Sequence, residues 1–475
     1  MATVAVAGVL LWLWWLLFSR APRRWRLVGA GAVALGVAAV FAGFRIRGVS
    51  GDLVPILEPR WSRESRRAEG AGNFSGATRD ATRERGGRAD FPQFLGPTRN
   101  ATLHGLALER DWAKRPPQVL WRQPIGAGWS GFAVVGARAV TQEQAGDDEL
   151  VSCYAVEDGR RLWSHVNRAR YATTIAGVGP RCTPTVVSNR VFALGATGIL
   201  NCLDLASGRP LWTRRLTDDG GVAVPEWGFA GSPLYFDEKV IVSAGGDDGR
   251  SLIAYHAATG EIAWTGGSAP ASYSSPCVAT LAGVPQILMF NAKRITSHAP
   301  ADGRVLWEYP WGIGQPHVAV PVVVASNRVV FSSGYGVGAA LLQVNGLDGG
   351  KLGVERVWKS PRLKAKFANF VQRDGFLYGL DDGVLACVAV ADGSQRWREG
   401  RYGHGQVLLV DDLLLVTAEN GELILLAPTP EVPNELGRFR VFASKTWNPP
   451  ALSGELLLVR NDLEAACVRL ALAQP

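Results

Sequence analysis

The 475-residue sequence lacks the residue patterns that mark most catalytic and metal sites. Its six histidines show no HxH or HxxxH spacing, so a zinc site is disfavoured. A GxSxG motif, a P-loop and a paired-carboxylate motif in a recognisable context are missing as well. These absences argue against the common hydrolases, nucleotide-binding proteins and zinc enzymes.

Two adjacent cysteines are also missing, and the six cysteines are spread along the chain. Four of them share one position in a repeated strand that is described below: Cys153, Cys202, Cys387 and Cys467. Equivalent positions in different repeats lie about 10 Å or more apart, whereas a disulfide needs Cα atoms within roughly 7 Å. Cys182 and Cys277 belong to first strands of different repeats. We therefore expect small buried cysteines without disulfides.

Net positive charge is missing from most of the chain, although the total is +8. Residues 1–89 hold fourteen Arg, no Lys and six Asp or Glu, which accounts for the whole excess. The remaining residues hold 36 basic and 36 acidic side chains. Residues 90–475 thus have no bulk attraction for phosphates, and we expect no nucleic-acid partner.

The N-terminus contains two uncharged apolar runs, residues 4–18 and 27–44, each just long enough to cross a bilayer as a helix. Four arginines between them favour a cytoplasmic loop. No basic residue precedes the first run, unlike in a cleavable signal peptide. We predict a membrane anchor over residues 1–47 in a bacterial cytoplasmic membrane, with the rest on the periplasmic side. Removal of the first run as a signal-like segment is the alternative.

Residues 48–89 are rich in Arg, Gly and Ser and show almost no apolar periodicity. Such a segment cannot bury enough surface to offset the entropy of ordering. The pattern predicts a flexible tether between the membrane anchor and the remainder of the chain, which begins at residue 90.

The remainder repeats a strand, an Asp-Gly or Ser-Gly turn and a further strand that closes on an aromatic residue, as in "CLDLASGRPLW" at 202–212. Eight closing positions follow at intervals of 39 to 52 residues: Trp121, Trp163, Trp212, Trp264, Trp307, Trp358, Trp397 and Phe442. Each interval contains four strand-like segments. Four antiparallel strands per unit of about 45 residues predict a β-propeller.

The count also predicts how the ring closes. The last unit, Asn448–Leu472, has only three strands, and the missing fourth strand is available in "PQVLW", which ends at Trp121. Pairing of these distant segments would leave no open edge in the ring. We therefore predict an all-β, eight-bladed propeller of four-stranded antiparallel blades over residues 90–475, preceded by transmembrane helices.

The closing pattern AxxGxxLW resembles the tryptophan-docking repeat of the pyrroloquinoline-quinone (PQQ) repeat propellers. That superfamily includes quinoprotein alcohol dehydrogenases and the lipoprotein scaffold of the outer-membrane β-barrel assembly machine (BamB). The similarity covers Asp90 to Leu472, and the opening Phe91–Gly105 partly resembles the first segment of bacterial PQQ-like proteins. The resemblance implies that the eight closing aromatics pack between neighbouring blades.

The same resemblance implies what a dehydrogenase would need: a disulfide of adjacent cysteines, a calcium site of Glu and Asn, and a catalytic Asp. No segment here matches those motifs. We therefore predict no catalytic, cofactor-binding or metal residues, and PQQ with calcium is the disfavoured alternative. The BamB scaffold carries a lipidated cysteine, and no lipobox cysteine is present here.

Residues just before each first strand are expected to gather at one mouth of the central channel. The candidates for a binding site there are Trp129, Arg181, Phe229, Tyr273, His317, His404 and Trp447. Plugging of the channel is the alternative role. The longer segments 220–231 and 332–343 are candidate loops for partner contact. We predict a non-catalytic, membrane-anchored scaffold for protein partners or a ligand; an unusual quinoprotein dehydrogenase and a BamB-like assembly scaffold are the alternatives.

Overall fold

The computed structural model describes residues 2–61, 88–312 and 316–473. The chain forms two compact units, one holding the N-terminal elements and the other the propeller. In the first unit, helices α1 (Ala2–Phe18) and α2 (Arg23–Gly43) occupy the two predicted apolar runs. Among the described helices, only α2 is long and apolar enough to cross a membrane, and none of its side chains is buried.

The predicted boundary between anchor and tether needs correction. Phe44–Val49 and Pro55–Pro59 pair as an antiparallel hairpin directly after α2. The first part of the predicted tether is therefore folded, since cross-strand hydrogen bonds and an ion pair order it. Most of the remaining tether, residues 62–87, lies outside the described residues.

The second unit confirms the predicted propeller of eight four-stranded blades, with strands in the order first to fourth. Blade 1 has strands Ala133–Val135, Arg138–Ala145, Asp148–Ala155 and Arg161–Asn167. Blade 2 has Thr185–Val187, Arg190–Leu194, Ile199–Asp204 and Pro210–Arg215. Blade 3 has Leu234–Phe236, Lys239–Ser243, Leu252–His256 and Ile262–Gly266. Blade 4 has Cys277–Leu281, Val284–Phe290, Arg294–His298 and Val305–Pro310.

The remaining blades follow the same order. Blade 5 has strands Val322–Ala325, Arg328–Ser333, Gly338–Gly346 and Leu352–Ser360. Blade 6 has Phe370–Arg373, Phe376–Asp381, Val384–Ala389 and Gln395–Arg401. Blade 7 has Gln406–Val410, Leu413–Thr417, Glu422–Ala427 and Asn434–Arg440. Blade 8 has Ala451–Ser453, Leu456–Arg460, Glu464–Arg469 and, from the front of the chain, Gln118–Pro124.

Short elements complete the unit: helix α3 (Leu216–Gly220), a 3-10 turn (Asp348–Gly350) and strands Thr102–Leu103, Ala172–Thr173 and Gly177–Val178. Segment 332–343 is not a loop, because most of it belongs to the second and third strands of blade 5. The extra length of this repeat lies in two nine-residue strands instead.

Burial follows the position of a strand within its blade. Second and third strands are buried almost throughout, as in Val191–Leu194 and Ile199–Leu203 of blade 2, because neighbouring blades cover both faces. Fourth strands are mostly exposed or half-buried, as in Pro210–Arg215. The fourth strands therefore form the outer rim, and the first strands line the channel.

Closure of the ring is as predicted. Gln118–Pro124 pairs antiparallel with Glu464–Arg469, and Trp121 lies opposite Cys467. The segment before this strand also binds the end of the chain: the Glu109 N–H donates to the Ala471 carbonyl at 2.8 Å, and Arg115 Nη1 donates to the Leu472 carbonyl at 2.9 Å. All six cysteines are buried and free, as expected.

The closing tryptophans join neighbouring blades. In six blades the indole Nε1 donates to a backbone carbonyl of the next blade at 2.8–3.1 Å, from Trp121, Trp163, Trp212, Trp264, Trp358 and Trp397. Five of these rings lie against the glycine of the next blade's turn between third and fourth strands: Gly159, Gly208, Gly260, Gly303 and Gly393. Trp307 differs: the next blade, blade 5, has nine-residue third and fourth strands. The Trp307 Nε1 donates to Gln286 Oε1 of its own blade at 2.7 Å.

The structure corrects the assignment of Phe442. This residue follows the fourth strand of blade 7, where it packs against Gly421 and under the Arg122 guanidinium. Gly437 occupies the register position of the tryptophan, opposite Leu425. The buried Trp112 packs on Gly437 from outside the blade; an added Cβ would lie 2.7 Å from the Trp112 Cβ. The Trp112 indole thus covers the position where the fourth strand of blade 7 lacks a tryptophan.

A plug formed by residues 91–103 crosses one end of the channel. Phe91 exchanges two backbone hydrogen bonds with Val134 of blade 1, at 2.8 and 2.7 Å. The buried Arg99 donates from Nη2 to Ser232 and from Nη1 to Pro233 before blade 3, both at 3.0 Å. Thr102–Leu103 pairs in parallel with blade 7. The plug lies at the end where first strands finish, opposite to the end where they start.

Substitution of Gly260 by Ala tests the docking contact. Gly260 has φ +76°, and its added Cβ would lie 2.7 Å from the Trp212 ring. Gly283 has the same φ with nothing within 4 Å, so Gly283→Ala is a matched control for backbone strain alone. We expect Gly260→Ala to lower the free energy of unfolding by about 1–3 kcal/mol more than the control. Equal losses in chemical unfolding would contradict interblade docking.

Truncation of Trp112 tests the closure. We expect Trp112→Ala to cost roughly 3–5 kcal/mol in the free energy of unfolding, the range for removing a buried aromatic side chain. The half-buried Trp227 stacks on Tyr273 and buries less of its ring, so Trp227→Ala should cost less than Trp112→Ala. A Trp112 loss no larger than that of Trp227 would show that blade 7 does not need the indole.

Candidate functional site

Three predicted residues, Trp129, His404 and Trp447, come together with Phe367 in what we call the aromatic cluster. The Trp129 and Trp447 ring centroids lie 4.9 Å apart, and Phe367 lies 5.1 Å from Trp447 and 5.6 Å from His404. Each residue precedes the first strand of its blade, so the cluster lies at the end of the channel opposite the plug. Phe367 and Trp447 are half-buried there, whereas Trp129 and His404 are buried. A binding role for these residues stays a prediction.

Two lysines lie against the cluster. Lys445 Nζ is 3.9 Å from the Trp447 centroid and 4.7 Å from that of Trp129. Lys366 Nζ is 5.3 Å from Phe367 and 4.9 Å from Tyr335. A cation above an aromatic face is attracted by the ring quadrupole, so these contacts hold positive charge at the mouth.

Hydrogen bonds to Glu419 and from Gln406 hold the cluster in place. Trp447 Nε1 donates to Glu419 Oε1 at 3.0 Å, and the His404 N–H donates to Glu419 Oε2 at 2.9 Å. Gln406 Nε2 donates to the carbonyls of Phe367 and Trp447 at 2.9 and 3.0 Å. One carboxylate and one amide therefore hold the Trp447 ring and the backbone of Phe367, His404 and Trp447.

Arg181 and Tyr273 lie in a second group. The Arg181 guanidinium is 4.6 Å from the Tyr171 centroid, and burial lowers its pKa to about 10. Tyr273 stacks on Trp227 at 5.1 Å, and burial raises the pKa of its hydroxyl. These two predicted residues, both half-buried, lie before the first strands of blades 2 and 4.

Phe229 and His317 do not join either group. Phe229 is a core residue, with its ring edge against Gly198. His317 is 1% exposed and stacks on Phe290 with centroids 4.2 Å apart. Burial lowers the pKa of His317 to about 4, so its ring is neutral at physiological pH. The prediction that these two side chains face the mouth is wrong, because both turn into the core.

Sequence reasoning missed Phe367 and the two lysines. Phe367 is the blade 6 member of the same column, three residues before Phe370, and completing the column for all eight blades would have identified it. Lys366 and Lys445 are neighbours of column members in sequence. No periodic signal marks these two lysines, because the repeat is defined by its closing aromatic residues.

The described side chains do not match a PQQ and calcium site. Within the described ranges, no group of three or more His, Cys, Asp or Glu side chains is arranged to hold a metal ion. Both oxygens of Glu419, the carboxylate at the cluster, accept hydrogen bonds from protein groups. The six buried cysteines include no adjacent pair.

Comparison with known sequences identifies the family. The profile described as "Outer membrane protein assembly factor BamB" matches residues 114–224 and 147–399, together more than half of the chain. A stretch of 81 residues is 37% identical to the outer membrane protein assembly factor BamB of Burkholderia pseudomallei (strain K96243), covering 17% of this chain and 18% of that protein. The Escherichia coli (strain K12) BamB is 38% identical over 88 residues, 18% and 20% of the two chains. These matches span about a fifth of each relative.

Solved structures agree in fold. The BamB crystal structure from Moraxella catarrhalis superposes with a TM-score of 0.55 at 14% identity, covering 76% of this chain and 99% of that one. Quinohemoprotein alcohol dehydrogenase from Comamonas testosteroni gives 0.58 at 13% identity, covering 82% and 81%. At such identities the likeness concerns the fold alone. By its profile match and its eight blades, the chain belongs to the PQQ-repeat propeller family described as outer membrane protein assembly factor BamB.

Proposed function

We propose that this chain is a membrane-anchored, non-catalytic scaffold at the cell envelope, with its propeller on the extracytoplasmic side of the cytoplasmic membrane. The family match supports a scaffold, and the curated relatives are by name outer membrane protein assembly factors. We infer that the partner is a protein, and that the scaffold needs neither PQQ nor a metal. The propeller body is electrically neutral, which argues against nucleic acid.

The aromatic cluster is the observation that carries this proposal. The Phe367 and Trp447 rings and Lys445 are half-buried at the mouth, and Trp129 and His404 pack beneath them. The backbone of the cluster precedes first strands of the blades. Large rings with few rotatable bonds make strong contacts at low entropic cost, and aromatic residues are enriched among interface hot spots. Lysines beside them suit an acidic or carbonyl-rich segment of a partner. The arrangement is that of a binding surface.

Helix α2 supports membrane anchoring. It has 21 residues, and all of its side chains are exposed or half-buried. Arg20, Arg23 and Arg24 lie at its N-terminal end, which favours the cytoplasmic side for that end. The propeller follows the other end, so we place it outside the cytoplasm.

Photo-crosslinking in intact cells tests the scaffold proposal. A benzophenone amino acid at Lys445 should give one dominant protein adduct, whereas the exposed Val432 on blade 7 serves as the control position. We expect Phe367→Ala to lower the Lys445 adduct at least fivefold, because it removes half-buried ring surface and leaves the Glu419 bonds of the cluster in place. Its loss in the free energy of unfolding should stay below that of Trp112→Ala. Equal adducts at both positions, or no effect of Phe367→Ala, would count against a specific surface.

A second candidate function is a quinone-dependent dehydrogenase, and Glu149 is the observation that favours it. Glu149 is fully buried at the start of the third strand of blade 1, close to Arg181. Its Oε2 accepts the Ala196 N–H at 2.9 Å, while Oε1 has no hydrogen-bond partner. Burial raises the pKa of this carboxyl to about 7, a value suited to a general base. The unmatched PQQ and calcium residues argue against this function.

Glu149→Gln tests the buried carboxyl through the pH dependence of stability and the dehydrogenase function through activity. The folded state holds the carboxyl proton more tightly than the unfolded state, so the free energy of unfolding should fall between pH 4.5 and about 7. The variant lacks this titration, and its stability relative to wild type should rise by roughly 3 kcal/mol across that window, at about 1.4 kcal/mol per pKa unit. Unfolding at pH 5 and 8 measures the difference. Dye reduction with alcohols, PQQ and calcium that Glu149→Gln abolishes would overturn the scaffold proposal.

A further inference from the structure

The hairpin after α2 has one ionic face and one apolar face. Ile46 and Leu57 are cross-strand partners on the same face, and each is 53% exposed. The next pair, Arg45 and Glu58, lies on the opposite face and forms an ion pair at 3.1 Å. Two exposed aliphatic side chains side by side need a covering, whereas the ionic face satisfies its own charges.

The hairpin is fixed to the end of α2. Phe44 follows the helix without a linker. The Arg60 N–H donates to the Gly43 carbonyl at 2.9 Å, and Arg60 Nε donates to Phe41 at 3.2 Å. The Trp61 ring packs against Gly43 and lies 6.0 Å from Phe44. The hairpin therefore begins directly at the end of α2, and these contacts hold it there.

Exposed tryptophans bracket α2. Trp25, near its start, is 59% exposed, and Trp61, packed at its end, is 69% exposed. The nineteen residues from Trp25 to Gly43 correspond to about 28 Å of helix, close to the ~30 Å of a hydrocarbon core. Tryptophan is enriched at both membrane interfaces, and this spacing places one at each of them.

We propose that the apolar face of the hairpin, Ile46 and Leu57 with Trp61 beside it, lies in the lipid headgroup region as an interfacial anchor. The inference rests on the proposed membrane crossing of α2. The lipid surface is the occupant that the geometry favours, because the helix end and the hairpin share one rigid junction. Insertion to roughly 5–10 Å would cover the aliphatic pair and leave the Arg45–Glu58 face toward water.

Depth-dependent fluorescence quenching tests this anchor in the full chain, reconstituted in phosphatidylcholine–phosphatidylglycerol vesicles. The native cysteines are all buried, so a thiol-reactive NBD dye will label an introduced surface cysteine selectively. Leu57→Cys probes the apolar face, and Arg45→Cys is the matched control on the opposite face. Leu35→Cys, on the exposed surface of α2, reports membrane crossing independently.

We expect a shallow spin-labelled lipid to quench the dye at Leu57→Cys at least threefold more than at Arg45→Cys, and a deep one to quench Leu35→Cys. Should Leu57→Cys perturb the hairpin, Ile46→Cys reports on the same face. Quenching at Leu35→Cys with none at positions 46 and 57 would overturn the interfacial anchor and leave the membrane crossing standing. No quenching at Leu35→Cys would refute both. A blue-shifted but unquenched dye at Leu57→Cys would show that protein covers this face.

Discussion

The contact between an indole and a left-handed glycine turn holds this propeller together. A blade has a buried second and third strand but cannot cover both faces alone, so each blade depends on its neighbours. The tryptophan crosses this interface, placing its ring on the next glycine and its Nε1 on the next carbonyl. Glycine is needed at this turn for two reasons. Its φ lies near +75°, and a Cβ would collide with the tryptophan ring. Repetition of this pair converts separate blades into a ring.

The indole–glycine contact is replaced between blades 7 and 8, where the ring closes. Blade 8 has no turn that joins its third strand to its fourth, because the fourth strand comes from residues 118–124. No glycine turn exists there to receive an indole from blade 7. Gly437 stands in place of the tryptophan, and Trp112 fills the space from the incoming segment. The strand that closes the ring thus brings its own packing residue.

The number of blades and their closure could be predicted from the sequence because the signals are local. A turn and a tryptophan a few residues apart define each blade, and counting them gives eight. The assignment of Phe442 failed because the blade 7 contact joins Gly437 to Trp112, more than 300 residues away, and no repeat period contains such a pair. The ordered hairpin at residues 44–59 was missed since its stability comes from cross-strand pairing and its junction with α2.

The candidate site was less predictable for a different physical reason. Connections before first strands vary in length, so an equal offset does not give an equal side-chain direction. Trp129 and Trp447 point to one cluster, whereas Phe229 and His317, chosen from the same column, turn into the core. The lysines carry no periodicity at all, and only the folded backbone brings Lys445 between two indoles.

Because neighbouring strands in a blade run in opposite directions, the docking contacts and the candidate site lie at opposite ends of the channel. Docking turns join third to fourth strands and therefore lie at the same end of the channel as the plug. The aromatic cluster and Glu149 lie at the other end, where first strands start and second strands connect to third strands. Residues at that end can change without removing an indole–glycine contact. A fold stabilised at one end can thus carry different surfaces at the other, which explains how propellers of this architecture include both assembly factors and dehydrogenases by name.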